Sequence, residues 1–184
     1  SHIREAVELG HAERIGHGVD IMYEDDPLGL LREMAERHVM VEINLTSNDV
    51  ILGVKPPWHP LPIYRAASVP VALSTDDEGV SRITLTHEYC RAALEFHLSY
   101  LDLKNSARTS LEHSFLPGGS LWQKPDVFTE TVPICSGQPL GGVKPTKSCL
   151  VFLHTSEKAA QQWELEHRYE VFESELSQAH KVRF

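Results

Sequence analysis

The chain is short of positive charge. Over 184 residues, 17 Lys and Arg stand against 26 Asp and Glu, a formal net charge of −9. Phosphate backbones are bound through Lys and Arg, so this balance argues against nucleic acid as a partner. No apolar run approaches the roughly 20 residues that a membrane-spanning helix needs, and no membrane partner is expected. Cysteine is sparse. Cys90, Cys135 and Cys149 share no C-x-x-C spacing, which excludes a zinc ribbon and a dithiol redox motif. Cys135 and Cys149 flank a Gly- and Pro-rich stretch; they either pair in an oxidising compartment or stay as free thiols. H-x-H does not occur. His87-Glu88 opens like the H-E-x-x-H zinc-protease motif, but Arg91 stands where the second histidine belongs. Ser114 belongs to no G-x-S-x-G, Cys90 has no neighbouring base, and Gly16-His-Gly18 lacks the lysine and further glycines of a phosphate loop.

What is present reads as an α/β pattern. A hydrophobic content of 41% suits a globular core, and the length suits one domain or a large piece of a bigger one. Ile3, Ala6 and Val7 lie on one helical face. Glu13 to Gly18 reads as a short strand ending in His17 between two glycines. Asp25 or Asp26 before Pro27 starts a helix, with Leu28, Leu31 and Ala35 as its apolar face. His38 to Leu45 reads as a second strand, and Thr46 to Asp49 as the polar loop at its end. A Pro-rich connection leads to a short helix near Ile63 to Ala67, which His59 caps. The apolar run Val69 to Leu73 is a third strand. This is the alternation of βα crossover units.

The third strand ends in Asp76 and Asp77. A lone Asp-Asp pair usually caps a helix or bends a turn. Successive side chains of a strand point to opposite faces, however, so adjacent carboxylates at a strand end serve different purposes. In parallel α/β folds the chemistry gathers at the carboxyl ends of strands. His17, the Thr46–Asn48 segment and the Asp76-Asp77 pair all fall there. Together they offer a carboxylate for a metal, a group to orient an attacking water and a polar group for substrate. The remaining histidines have no ligand partner at useful spacing and read as structural.

After Gly79 the chain is helical, with Tyr89, Ala93, Phe96 and Tyr100 on one side and a second helix from about Asp102 to Phe115. Residues 119–154 read as a loop-rich strap with a short strand at Cys149 to Leu153. A last helix starts at Ser156, where Leu165, Tyr169, Phe172, Leu176 and Ala179 form a docking stripe that a second copy of the chain would fit, making a homodimer. The expected division is 1–118 and 119–184, the second segment packing on the first.

Arg14-Ile-Gly-His-Gly18, Val41-Glu-Ile-Asn-Leu-Thr-Ser-Asn48 and Leu73-Ser-Thr-Asp-Asp77 resemble, in order and spacing, the last three strands of adenosine deaminases. Leu85-Thr-His-Glu-Tyr89 and Ser110-Leu-Glu-His-Ser-Phe-Leu-Pro117 resemble the helices that follow, in wording closest to the deaminase-related growth-factor branch and its bacterial relatives. The resemblance implies strands six to eight of a (β/α)8 TIM barrel and a zinc-dependent hydrolysis of adenosine or 2'-deoxyadenosine to inosine and ammonia. By it, Asp76 is a zinc ligand. His17 orients and helps deprotonate the attacking water. Asp77 hydrogen-bonds the N7 edge of the purine, and Ser47 supports the site from behind. The sequence departs from the family where Asn44-Leu45 replaces a common Cys-Pro and where Glu78-Gly79 follows the Asp pair in place of proline.

The family's zinc histidines and its glutamate acid are not in this chain, and Ile3 to Leu9 already read as a helix. The expectation is therefore a C-terminal portion whose partner is the N-terminal half of the same barrel, from another segment or chain. Two other functions stand beside the deaminase. One is a non-catalytic, growth-factor-like module that keeps the barrel without the metal; the other is a related amidohydrolase acting on another amino-purine. The compartment is left open between secreted or periplasmic and cytoplasmic.

Overall fold

A computed structural model describes residues 2–181, which fall into two compact units, residues up to His113 and residues from Ser114. The first unit is α/β. Its elements run α1 (His2–Glu8), β1 (Arg14–Gly16), α2 (Pro27–Glu36), β2 (Met40–Ile43), α3 (Leu45–Leu52), α4 (Leu61–Ala66), β3 (Val71–Leu73), α5 (Glu78–Ser81), α6 (Leu85–Glu95) and α7 (Tyr100–Glu112). The three strands are parallel, in the order β1-β2-β3, with Ile15 opposite Val41 and Ile43 opposite Leu73. All three carboxyl ends therefore face the same way.

The core of this unit gathers Val7, Ile21, Leu30, Met34, Val41, Ile43, Leu61 and Tyr64, all essentially inaccessible. A large apolar side chain fully buried in this way contributes roughly 1.5–3 kcal/mol. Asp26 caps α2 by accepting from the Gly29 N–H at 3.1 Å, with Pro27 in the first turn, as the sequence indicates. The face of α2 differs from expectation: Leu30, Leu31 and Met34 are buried, whereas Leu28 is exposed. Among the described residues no strand lies beside the outer edge of β1 or β3. The Leu73 N–H, turned away from β2, donates to Ser106 Oγ on α7 at 3.1 Å.

Two further differences lie in the helices of this unit. The apolar series Tyr89 to Tyr100 is divided between two helices, because Ser99 and Asp102 form a reciprocal capping box that starts α7. Thr46 to Asp49 is the first half of α3, not a loop.

The second unit holds an antiparallel hairpin of β4 (Trp122–Lys124) and β5 (Val127–Thr131), then α8 (Lys147–Thr155) and α9 (Glu157–Lys181). The run Cys149 to Leu153 is helical, not a strand, since Thr146 caps α8 by accepting from the Cys149 N–H. Cys135 and Cys149 form a disulfide within a small core of Leu121, Leu153, Ala159 and Trp163. Ser156 caps α9 through the Ala159 N–H. The packed face of α9 is Ala159, Gln162, Trp163 and Glu166, while Phe172 and Leu176 of the expected stripe are nearly half exposed. Gly141, at φ +70°, lies against the backbone of α9, where a Cβ would come within 2.3 Å of the His167 nitrogen. No helix among the described residues is long and apolar enough to cross a membrane.

The disulfide closes a short loop, with a sequence separation of 14. Such a link stabilises by roughly 3 kcal/mol through the unfolded chain. The double substitution Cys135→Ser, Cys149→Ser should therefore lower stability by roughly 2–4 kcal/mol in denaturant unfolding. Peptide mapping of the unreduced protein should alkylate only the exposed Cys90 of the three. Equal labelling of all three thiols without reductant would contradict the pairing.

Candidate active site

The site is assembled where the three parallel strands end. His17 directly follows β1, Ser47 and Asn48 lie in the first turn of α3 beyond β2, and Asp76 stands three residues past β3. His17 and Asp76 are both left-handed, at φ +63° and +55°. For a residue with a Cβ that conformation costs roughly 1–2 kcal/mol, so surrounding contacts must hold it. At His17 they do. Gly18, itself at φ +62°, lies so close to Tyr64 that a Cβ would meet the hydroxyl at 2.5 Å, and that hydroxyl donates to the Gly18 carbonyl at 2.7 Å. Burial raises the Tyr64 phenol above its usual range, which keeps it a donor.

Asp76 Oδ2 accepts a hydrogen bond from Ser47 Oγ at 2.7 Å and lies 3.6 Å from His17 Nε2. The other ring nitrogen of His17, Nδ1, is 2.8 Å from Asn48 Oδ1 and 3.3 Å from Asn44 Nδ2. His17, Ser47, Asn48 and Asp76 line a cavity of about 380 Å³, with Asp20 and Glu24 beside them and Ile3, Ile51 and Leu52 as apolar wall. Both His17 and Asp76 keep about a third of their side chains exposed.

The first turn of α3 carries Ser47 and Asn48, and its own cap is unusual. Asn44 at the cap position makes no capping bond with its side chain. The carboxylate of Glu88, on α6 and wholly buried, replaces it. It accepts from the Thr46 N–H at 3.2 and 3.3 Å and from the Thr46 hydroxyl. A carboxylate at a helix N-terminus satisfies orphan N–H donors and meets the positive end of the helix dipole. Arg91, on the same helix as Glu88, donates to the Thr46 hydroxyl at 3.2 Å and to Asp49 Oδ2 at 2.9 Å.

On the far side of Asn48 stands His59, only 2% exposed. Its Nδ1 accepts from the Leu61 N–H at 3.1 Å, as a cap for α4, and its Nε2 is 2.9 Å from Asn48 Nδ2. Burial, with the Arg91 charge as a second cause, lowers its pKa to about 4.

Of the four residues singled out in the sequence, the structure brings His17, Ser47 and Asp76 together. Asp77 is exposed, precedes α5 without capping it, and does not line the cavity. No individual role attaches in the sequence to Asn44, Asn48 or Glu88, which stand there only within longer motifs. Read as a helix, the segment places Asn44, Ser47 and Asn48 on one face, since residues three and four apart are neighbours there.

Among the described residues no three His, Cys, Asp or Glu converge closely enough to hold a metal by themselves. The donors that do meet, the Asp76 carboxylate and the His17 imidazole, open into one cavity, and hard or borderline cations such as zinc take both donor types. They fit one side of a metal site that further ligands would have to complete.

The family model for adenosine deaminase matches residues 1–121, and the chain belongs to that family. An adenosine deaminase of Clostridium perfringens is 36% identical over 115 residues, covering 62% of this chain and 34% of that protein. An adenine deaminase of Rhizobium rhizogenes is 35% identical over 116 residues, covering 62% and 35%. The crystal structure of an adenine deaminase from Arthrobacter aurescens superposes with a TM-score of 0.56 at 25% identity, covering 63% of this chain and 35% of that one. The chain thus spans about a third of the length of the curated relatives it matches.

The neutral, buried His59 gives the stability a defined pH dependence. Its folded pKa of about 4 lies below the ordinary 6.5, so the unfolded chain binds more protons between those values. The contribution is complete above pH 6.5 and is lost as pH falls toward 4, by roughly 3 kcal/mol at 1.36 kcal/mol per pKa unit. His59→Gln removes this titration. Its stability relative to the parent protein should improve by roughly 2–3 kcal/mol between neutral pH and about pH 4.5, measured by urea unfolding. A constant difference across that range would mean that His59 titrates normally.

Proposed function

We propose that β1, β2 and β3 are the last three strands of a (β/α)8 barrel, and that this chain supplies part of the centre of a zinc-dependent deaminase. The reaction is hydrolytic: water adds its oxygen at C6 of adenosine or 2'-deoxyadenosine, the C6–N bond breaks, and inosine and ammonia leave. The observation that carries the reading is the meeting of Asp76 and His17 in one cavity, each held by a neighbour on α3.

In this reading Asp76 is a zinc ligand. Ser47 fixes its carboxylate by donating to Oδ2, which leaves the other oxygen, Oδ1, free for the cation. When bound, the metal supplies Lewis acidity that lowers the pKa of water to about 7. His17 orients the attacking water from the side opposite Asn48. The apolar wall of Ile3, Ile51 and Leu52 suits the flat face of a purine. Asp77 binds the N7 edge; to do so the turn at residues 77–81 must carry it from solvent to the rim of the cavity. The remaining ligands and the barrel's other strands come from the N-terminal half of the same barrel.

A second reading has a specific observation behind it. A relative named for adenine is as similar to this chain as one named for adenosine, 35% against 36%. The free base or another amino-purine is therefore the competing substrate. The third reading, a metal-free binding module, predicts neither metal nor turnover.

These readings separate in the protein at the length of its relatives, assayed for ammonia release with adenosine, 2'-deoxyadenosine and adenine. Turnover of the nucleosides with about one equivalent of zinc is expected; turnover of adenine alone would move the assignment to the second reading. Asp76→Ala should abolish activity and metal together, whereas His17→Ala should lose most of kcat and keep the metal. Loss of metal in His17→Ala would make that imidazole a ligand instead.

Asp77→Ala, which unlike Asn leaves no group able to donate to N7, should weaken adenosine turnover roughly five- to a hundredfold, the effect of losing a buried hydrogen bond of about 1–3 kcal/mol. A 7-deaza analogue, which lacks the N7 acceptor, should feel the change far less. Equal losses on the two substrates would mean that Asp77 only shapes its turn.

A further inference from the structure

Asn48 lies between two imidazoles, and the outer one cannot choose its protonation freely. We propose that His59, acting through the Asn48 amide, holds His17 as the tautomer protonated on Nε2, so that the ring presents an N–H rather than a lone pair to the cavity beside Asp76. The inference rests on the reading of His17 as the residue that holds the attacking water, and it changes the part His17 plays there. His59 is a positioning residue.

The chain of hydrogen bonds starts at a group that cannot reverse. The Leu61 backbone N–H points at His59 Nδ1 from 3.1 Å, so that nitrogen accepts and carries no proton. A neutral imidazole has one N–H, which in His59 must then be on Nε2. The imidazolium is excluded twice: it would set two donors against each other at Leu61, and burial beside Arg91 disfavours the charge. His59 Nε2 is 2.9 Å from the Asn48 amide, and an N–H there needs an oxygen. With Asn48 Nδ2 on that side, both nitrogens of His59 would be acceptors and the ring would be an imidazolate.

A half-turn of the amide removes the conflict, because it exchanges O and N between the same two positions. Asn48 Oδ1 then accepts from His59, and Nδ2 faces His17 Nδ1 at the 2.8 Å separation. Asn44 Nδ2 also lies 3.3 Å from that nitrogen. Asn44 Oδ1 is consequently left buried without a partner among the described residues, a cost the arrangement bears.

Asn48 Nδ2 then donates to His17 Nδ1, so that nitrogen accepts and the one proton of the neutral ring lies on Nε2. That N–H is 3.6 Å from Asp76 Oδ2 and faces the cavity. Protonated there, His17 holds an oxygen by donating to it and cannot take a proton from water at the same atom. This replaces the role of partial base that the family resemblance implies for His17.

The test uses the protein at the length of its relatives, labelled with ¹⁵N-histidine, and long-range ¹H–¹⁵N correlation spectra at neutral pH. The coupling pattern of each ring identifies its protonated nitrogen, and His17 and His59 are assigned by substitution. Both are expected to carry the proton on Nε2. His59→Met keeps a similar volume but has no donor, which frees the Asn48 amide to turn. His17 should then populate both tautomers, and kcat should fall about tenfold or more with little change in KM, as for a lost group that acts in the transition state. His59→Gln puts an amide N–H near the position of Nε2 and should restore the Nε2 pattern and much of the lost kcat.

A parent spectrum with His17 protonated on Nδ1 overturns the inference, and it does so whether or not the Met variant folds. An unchanged His17 pattern in folded His59→Met overturns it as well. If the protein turns over no purine yet shows the expected tautomers and their response to His59→Met, the deaminase reading fails and this one stands.

Discussion

The site depends on one turn of helix, Leu45 to Asn48, laid across the carboxyl ends of three parallel strands. That turn supplies the hydroxyl that fixes Asp76 and the amide that fixes His17. It is not held by its own cap. A carboxylate from α6, 42 residues further along, closes its N-terminus. Thr46, Ser47, Asn48 and Glu88 are all buried. Buried polar groups cost several kcal/mol when unpaired and little when every partner is present. The network therefore acts as a single unit: losing Glu88 frees the turn, and the turn orients both groups that face the cavity.

The same logic explains why left-handed backbone is tolerated at His17 and Asp76. Each residue gives up roughly 1–2 kcal/mol of conformational preference and is held by side-chain bonds in return. Tyr64 clamps the glycine after His17, and Ser47 clamps the carboxylate of Asp76. Positive φ alone is a poor marker here, since His38, Ser68 and His97 share it as ordinary residues after helix ends. What distinguishes the pair is that both side chains open into one cavity.

Much of this could be read from local signals. Asp26-Pro27 starts a helix by rules that need only four residues, and three apolar runs at crossover spacing give a parallel sheet. His17 and Asp76 stood out because polar residues at strand ends share one edge of such a sheet. The failures were tertiary. Thr46-Ser-Asn-Asp49 has the composition of a loop, and only a capping group distant in sequence makes it helical. Cys149 to Leu153 is too short an apolar run to show a period, and Thr146 with the partner Cys135 settles it as helix. The stripe of α9 was displaced by two polar residues, Gln162 and Glu166, which are buried because they have partners; Gln162 Oε1 accepts from the Leu121 N–H at 2.7 Å. His59 was legible as a cap, but its contact with Asn48 was not, because it needs the fold to bring residues 11 apart across two elements.

The central claim is that the carboxyl ends of β1 and β3 are two parts of one metal centre that other strands complete. The most direct measurement is a crystal structure of the protein at the length of its relatives, with anomalous difference maps on either side of the zinc absorption edge. The account predicts a single edge-dependent peak bonded to the Asp76 carboxylate, beside His17 Nε2, with strands paired along the outer edges of β1 and β3. A peak bound elsewhere, or β1 and β3 left as open edges in the whole protein, would contradict it.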